Sequence, residues 1–263
     1  MSLELVRSFG PWMVIPLERP PSRRRFGVPI GGPFDRESFE VACFLVDANE
    51  AFELALGTFT FLAFEDCSIG LAGSVGRVTL DDCSSTNSGV IPLRRGQQIE
   101  VAIGGGARAY LSWSPGLRSP LALDQPQSNG STLRYIPRPS ISLDLGQAMW
   151  EVSPISDRTG TRLSGIEDAH EIELPSEPVC IGAIQWTPDG TLIIIGPDGP
   201  TIGGYPLVGT VISADLDRVG QLVSGARVTI EAVDLASARS LLGTYDQGLK
   251  NRRAILNLAR NST

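Results

Sequence analysis

Gly182-Ala183-Ile184-Gln185-Trp186-Thr187-Pro188-Asp189-Gly190-Thr191-Leu192-Ile193-Ile194-Ile195 sets an Asp-Gly pair just before a four-residue apolar run. Asp-Gly suits the left-handed backbone of a tight hairpin turn. Leu192–Ile195 is strand-sized, far below the ~18 uninterrupted apolar residues that a membrane span needs. The same alternation of short apolar run and turn signal recurs at Phe59–Phe64, Ser68–Ala72, Val78–Leu80, Gln98–Ile103, Ala109–Trp113, Leu133–Ile136, Thr210–Ile212 and Arg227–Val233. With 29 Gly and 19 Pro among 263 residues the chain turns often, and many short strands at such spacing predict barrels or sandwiches. The expected fold is mostly β with a few short helices.

Three helices are expected. Residues 36–48 read as one, with Asp35 as its cap and Phe39, Ala42, Cys43 and Val46 on a single face. A short one runs from Asp215 to Leu222, and a terminal one starts near Leu235. The stretch 114–131 is polar and rich in Pro and Gly, and it reads as a linker. It separates an N-terminal β-rich subdomain (1–120) from a C-terminal one (131–263). All nine Phe lie at or before Phe64, so the two halves build different cores.

The scarce residue types exclude several chemistries. One His (His170) and one Lys (Lys250) leave no Lys-based phosphate loop and no pair of imidazoles for a metal, so no metal site is expected. His170 lies among carboxylates in Glu167-Asp168-Ala169-His170-Glu171 and reads as a solvated loop residue. Cys43, Cys67, Cys83 and Cys180 show no C-x-x-C spacing and read as free thiols. The N-terminus has no apolar signal region, and a cytoplasmic location is expected.

The net charge of −7 is unevenly spread. Residues 1–36 and 239–263 hold eleven cations against four acids, whereas the stretch between holds eleven against twenty-five. Such an acidic body is not a nucleic-acid surface. The run Arg23-Arg24-Arg25 reads either as a solvated loop or as a contact for a phosphate or an acidic partner.

Four segments are more particular than generic strand or turn. They are Gly27-Val28-Pro29-Ile30-Gly31-Gly32-Pro33-Phe34-Asp35-Arg36, the segment Ser153–Gly165 with Asp157-Arg158 and Arg162, the segment Gly182–Gly190, and Thr201–Pro206 followed by Thr210–Leu216. Arg158 and Arg162, four apart, could both reach one carboxylate or phosphate through their guanidinium forks, with Asp157 orienting one of them. Gly203-Gly204 would permit positive φ and close backbone approach, and Tyr205 would offer a hydroxyl or a stacking face. The structural alternatives stay open: Asp35-Arg36 and Asp157-Arg158 as caps and ion pairs, and Gly203–Pro206 as a tight turn.

In this order and at these separations, the four segments resemble the biotin-dependent carboxyltransferase subdomain 2 family. Its KipA-like members are described as the C-type subunit of the ATP-dependent 5-oxoprolinase, and the same unit forms half of the carboxyltransferase domain of urea carboxylase. The resemblance runs from about Gly27 to Val233, and Glu53-Leu54-Ala55-Leu56-Gly57 matches a further stretch of the pattern loosely. It implies two β-barrel-like subdomains, the second cyclophilin-like, and a KipI-like sister subunit that shares a site for a small-molecule substrate. It implies ATP acting through the complex, together with a third, ring-opening subunit; in the carboxyltransferase setting it implies biotin. Neither nucleic acid nor membrane is implied as a partner. The site residues carried over are Asp157, Arg158, Arg162 and Tyr205 for the chemistry, with Gly203, Gly204, Gln185, Asp35 and Arg36 for substrate.

The chain departs from that pattern at its fourth segment. The family reads D-R-Q-T-T-G-G-Y-P-K, where this chain has Asp198-Gly199-Pro200-Thr201-Ile202-Gly203-Gly204-Tyr205-Pro206-Leu207. Both cations of the pattern are missing, and with them an obvious complement for an anion. Three roles follow from the resemblance: an oxoprolinase-type subunit, a carboxyltransferase half, or a member that keeps the fold and its partner without the chemistry.

Overall fold

The computed structural model describes residues 2–17, 23–81, 83–85, 88–123, 132–139, 145–165 and 175–261. Two units emerge: Met1–Arg19, Asp35–Ser128 and Gln247–Thr263 form one, Pro20–Phe34 and Asn129–Asp246 the other. The division at Ser128 falls inside the stretch read as a linker. Each unit also takes in residues that a single cut there would assign to its neighbour.

The first unit contains β1 (Leu3–Ser8), β2 (Trp12–Pro16), α1 (Arg36–Val46), β3 (Glu50–Ala55), β4 (Thr58–Ala63), β5 (Cys67–Gly73), β6 (Val75–Leu80), β7 (Cys83–Ser85), β8 (Ser88–Leu93), β9 (Gln98–Ile103), β10 (Arg108–Pro115) and β11 (Leu121–Leu123). These strands make a five-stranded sheet, β1-β4-β9-β6-β7, and a six-stranded one, β11-β8-β5-β10-β3-β2. Side chains alternate across a strand. Phe52 and Leu54 of β3 and Ala109 and Leu111 of β10 thus turn into the core between the sheets, with Phe59, Phe61, Ile99 and Val101 opposite. The intervening Ala51 and Tyr110 turn to the other face, where Phe39, Ala42, Cys43 and Val46 of α1 pack. Asp35 caps α1 as expected, its carboxylate accepting from the Ser38 N–H at 2.9 Å and the Ser38 hydroxyl at 2.6 Å. The helix lies so close to β5 that a Cβ on Gly70 would sit 2.3 Å from the Ala42 carbonyl oxygen.

The second unit contains β12 (Thr132–Pro137), β13 (Trp150–Val152), β14 (Gly160–Ser164), β15 (Glu177–Pro178), β16 (Ala183–Trp186), β17 (Leu192–Ile195), β18 (Ile202–Gly203), β19 (Leu207–Val211), α2 (Leu216–Gln221) and β20 (Arg227–Ala232). Seven of them close a barrel in the order β12-β19-β16-β17-β14-β13-β20, and β15 and β18 form a separate ribbon. The barrel closes through a parallel β12–β20 pair, against antiparallel pairs elsewhere. Its core is aliphatic around Trp150, with Leu133, Leu163, Ile184, Leu192, Ile194 and Ile230. The Asp189-Gly190 hairpin joins β16 to β17 as read, the Gly190 N–H donating to the Thr187 carbonyl at 3.0 Å.

The helix α3 (Leu235–Asn261) starts where the sequence placed a terminal helix and runs 27 residues, longer than the few short helices expected of the fold. Asp234 caps it, accepting from the Ser237 N–H at 2.7 Å, and that bond holds the Asp234 carboxyl below its usual range. The first part of α3, to Asp246, counts with the second unit and the remainder with the first. Within the stretch read as a linker, Ser114 and Pro115 end β10 and Leu121–Leu123 pair with β8, while residues 124–131 lie outside the described residues. A Pro/Gly-rich composition there marks a corner between strands of one sheet. His170 lies outside the described residues.

Cys43 and Cys67 are buried free thiols and Cys180 an exposed one. Burial pushes the Cys43 and Cys67 thiols up to about 11. No helix among the described residues is long and apolar enough to cross a membrane.

Candidate functional site

The loop that enters β14 is shaped by Asp157. Its carboxylate accepts from the Thr159 N–H at 2.8 Å, the Gly160 N–H at 3.2 Å and the Thr159 hydroxyl. This side-chain-to-backbone turn needs only a short acceptor two residues ahead of the donors. Burial raises the Asp157 carboxyl, but those hydrogen bonds and the charge of Arg162 outweigh it and hold it below the usual range. The turn thrusts Arg158 toward a second loop, 196–199. There the Asp198 N–H donates to the Arg158 carbonyl at 3.1 Å and the Gly196 N–H to the Thr159 carbonyl at 3.0 Å.

Arg158 is held by protein groups on two sides. Its Nε donates to Asp198 Oδ2 at 2.6 Å and its Nη2 to Asp198 Oδ1 at 3.0 Å, a bidentate pair, and Nη2 also donates to the Gly32 carbonyl at 2.8 Å. Arg162 sits on β14 and donates from Nη1 to the Ile155 carbonyl at 3.1 Å. The two guanidiniums are thus committed to different partners, and Asp157 is electrostatically coupled to Arg162. The joint grip on one anion that their spacing suggested is not the arrangement found here, because they lie on a turn and a strand and not on one helix face.

The Gly/Pro loop docks on the same place. The Gly31 N–H donates to the Pro197 carbonyl at 2.9 Å, and Gly31 and Gly32 adopt φ of 67° and 93°, a region glycine enters at little cost. Arg24, from the basic run, donates to the Val179 carbonyl, while Arg25 lies over the Phe26 ring at 4.7 Å. One arginine of the run is therefore an anchor. The crevice between these loops, lined by Arg24, Ile30, Cys180 and Pro197, holds about 10 Å3, room for one water at most.

Gln185, on β16, is buried, and its Nε2 donates to the Tyr205 carbonyl at 3.3 Å. A Cβ on Gly203 would lie 2.1 Å from that same Nε2. A side chain at 203 would have to displace the Gln185 amide that covers it; neither Gly203 nor Gly204 has the positive φ that the sequence suggested. The Tyr205 ring is half-exposed, and a Cβ on Gly204 would meet only Ser176 Oγ, at 3.6 Å. The structure therefore brings Gln185, Gly203 and Tyr205 together, and Arg158 together with Gly32 and Asp198.

Asp35 and Arg36 belong to the first unit. Arg36 pairs with Glu40 one turn along α1, at 2.8 Å and largely exposed. Asp35 heads a buried polar chain. Its N–H donates to the Tyr110 hydroxyl at 2.9 Å, that hydroxyl donates to Glu53 Oε2 at 2.7 Å, and Glu53 Oε1 lies 3.4 Å from Arg108 Nε. Burial, then the charges of Glu53 and Asp35, push the Tyr110 hydroxyl well above its usual range, so it stays protonated and able to donate. A separate polar depression of about 380 Å3, lined by Arg7, Thr60, Asp81 and Glu100, contains none of the motif residues.

Sequence reasoning missed Asp198, the anchoring role of Arg24 and the Tyr110–Arg108 end of the chain. Asp198 lies in Gly196-Pro197-Asp198-Gly199, which reads as a turn, and nothing in the local sequence links it to Arg158 forty residues away. For Glu53 the signal was present: a lone carboxylate among apolar residues of a strand, at the head of a motif stretch. Among the described residues no group of three or more His, Cys, Asp or Glu could hold a metal ion.

A family model described as carboxyltransferase domain, subdomain A and B, matches residues 26–127 and 128–232. The chain is 25% identical over 267 residues to the C-type subunit of Escherichia coli 5-oxoprolinase, covering 82% of this chain and 86% of that one. It is 37% identical over 94 residues to the C-type subunit of Haemophilus influenzae 5-oxoprolinase, 35% of this chain and only 30% of that relative. Among solved structures, the K. lactis urea amidolyase superposes with a TM-score of 0.78 at 24% identity, over 95% of this chain and 20% of that one.

Proposed function

From the fact that this chain belongs to the family of carboxyltransferase domains, subdomains A and B, we propose that it is the C-type subunit of an ATP-dependent 5-oxoprolinase. In this reading it works with a KipI-like sister subunit to activate 5-oxoproline with ATP, and a third subunit opens the ring. The observation that carries the reading is the alignment with the C-type subunit from E. coli, which spans most of both chains. The interlocked loops agree with it. Gly31-Gly32, Arg158, Asp198 and the Gln185–Tyr205 pair hold one end of the second unit in a fixed shape. Tyr205 and the Gly203-Gly204 backbone then lie at a rim open to a substrate or a sister subunit.

A second reading rests on one specific feature. Gly199 and Leu207 stand where the family pattern has Arg and Lys, and Arg158 is neutralised by Asp198. A rim so poor in free cations favours a member that keeps fold and partner but not turnover. The experiment that decides is reconstitution with the sister subunit, followed by ADP release with and without 5-oxoproline. The expected result is 5-oxoproline-dependent ATP hydrolysis that needs both proteins. A complex that forms but releases no ADP would establish the second reading. A biotinylated partner, with carboxyl transfer to urea, would replace both by the carboxyltransferase role.

A further inference from the structure

β2 ends the six-stranded sheet, so one of its edges is open. Two hydrogen bonds fix which backbone groups face outward. The Pro11 carbonyl accepts from the Ala55 N–H at 3.0 Å, and the Leu17 N–H donates to the Asn49 carbonyl at 2.5 Å. The β2–β3 register is unbroken from Trp12 opposite Leu54 to Pro16 opposite Glu50. Backbone groups alternate sides along an antiparallel strand, so residues 11, 13, 15 and 17 bond to β3. The N–H and C=O groups of Trp12 and Val14 point away from it, and among the described residues no group pairs with them.

Natural sheets blunt such an edge with charges, bulges, proline or a covering element. β2 reads Trp12-Met13-Val14-Ile15-Pro16, without charge, and its proline comes last. The Trp12 ring stacks at a tilt on Phe52, 5.8 Å between centroids, yet Trp12 stays 48% and Val14 38% exposed. These side chains continue the core of the sandwich and stop short, as though a further strand were absent.

We propose that β2 pairs antiparallel with β2 of a second copy of this chain, about a two-fold axis at Met13. The register follows from the strand itself. Centred on Met13, Trp12 lies opposite the partner's Val14, and both outward N–H groups of β2 find carbonyls within β2. Centred on Val14, Trp12 would face the partner's Pro16, which has no N–H. Centred on Trp12, Val14 would face a residue outside the strand. The self-complementary patch is what a two-fold interface requires, and each Trp12 covers the partner's Val14 on the core side of the merged sheet. The inference is independent of the reaction proposed above, since β2 carries none of the motif residues.

Sedimentation of the full chain over a concentration series, with amide hydrogen exchange, tests it. The expected result is a mass twice that of the 28.1 kDa chain, with the Trp12 and Val14 amides protected. Val14→Pro removes only an outward donor, at a position where an edge strand tolerates proline. It should weaken the dimer at least about tenfold while the melting temperature of the monomer is retained. If that variant fails to fold, Trp12→Lys supplies the same test through charge. A wild-type chain that stays at the mass of one copy to its solubility limit would overturn the proposal, as would a dimer indifferent to both variants. Protection of these amides only on adding the sister subunit would also overturn it and give the edge to that protein.

Discussion

In the sandwich, Asp35, Tyr110, Glu53 and Arg108 form a chain of polar groups sealed between α1 and the six-stranded sheet, with Glu53 only 2% exposed. In the barrel, Arg158 and Asp198 make as good a pair in geometry, but at the mouth of converging loops where water still reaches both. The difference separates two uses of the same chemistry. A charge buried in the sandwich can be neither solvated nor repartnered, so the network fixes how α1 lies on its sheet. A charge tied at the barrel's loops pins one loop to another and leaves their rim free to meet a ligand or a neighbour. Motif residues therefore do not share one role: Asp35 and Glu53 frame the first unit, while Gly32, Arg158 and Gln185 shape the rim of the second.

Substitution at the two pairs can break this comparison. Glu53→Ala strips the acceptor from Tyr110 and the counter-charge from Arg108 in a buried site, and should cost about 3–5 kcal/mol in chemical denaturation. Arg158→Ala removes charge-assisted bonds from a partly wet site and should cost about 1–3 kcal/mol. If Arg158→Ala proves the more damaging, the barrel loops are as much framework as the sandwich network, and the division between them fails. Loss of ligand binding by Arg158→Ala would then reflect collapse of the loops and not a lost anion contact.

Asp157 sharpens the same contrast through pH. Its folded carboxyl lies below the usual range, so the unfolded chain takes up the proton first as pH falls. The stability it contributes is complete above the ordinary carboxylate range and is lost as pH drops through the depressed value. Asp157→Asn should flatten that acid limb in thermal melts. At neutral pH, where that contribution is complete, the effect should be the smallest of the three, about 0.5–1 kcal/mol, because the bonds are made in an exposed turn.

Much of the fold was legible because its signals are local. Asp35 before an apolar face announced α1, Asp189-Gly190 announced the β16–β17 hairpin, and the runs at Gln98–Ile103 and Leu192–Ile195 became β9 and β17. β2 and β3 were not read, since Trp12–Pro16 is short and ends in proline, and Glu50 and Glu53 break the apolar run of β3. At the candidate site, the local shape of the segments was legible, because Gly-rich loops and Asp-x-Thr turns carry their geometry within a few residues. The partners did not follow. Whether Arg158 meets a ligand or Asp198 depends on which loops the barrel brings together, and that is settled by strand order, to which a local sequence window is blind. At Gly203 the sequence suggested backbone freedom, whereas the structure shows close cover by the Gln185 amide, eighteen positions earlier.

The division of α3 between the units sets a timetable for synthesis. Arg252 and Arg253 pair with Glu37 and Glu40 of α1, and Leu256 joins the core beneath that helix. Glu37 and Arg252 are 215 positions apart. At the pace of translation, α1 leaves the ribosome on the order of tens of seconds before these partners are made. Through that interval the sandwich holds its acidic helix without the basic segment that finishes it, while the whole barrel is still being added. The first unit to begin folding is therefore among the last to be completed, and in that window its unfinished face is open to whatever chaperone or neighbour reaches it first.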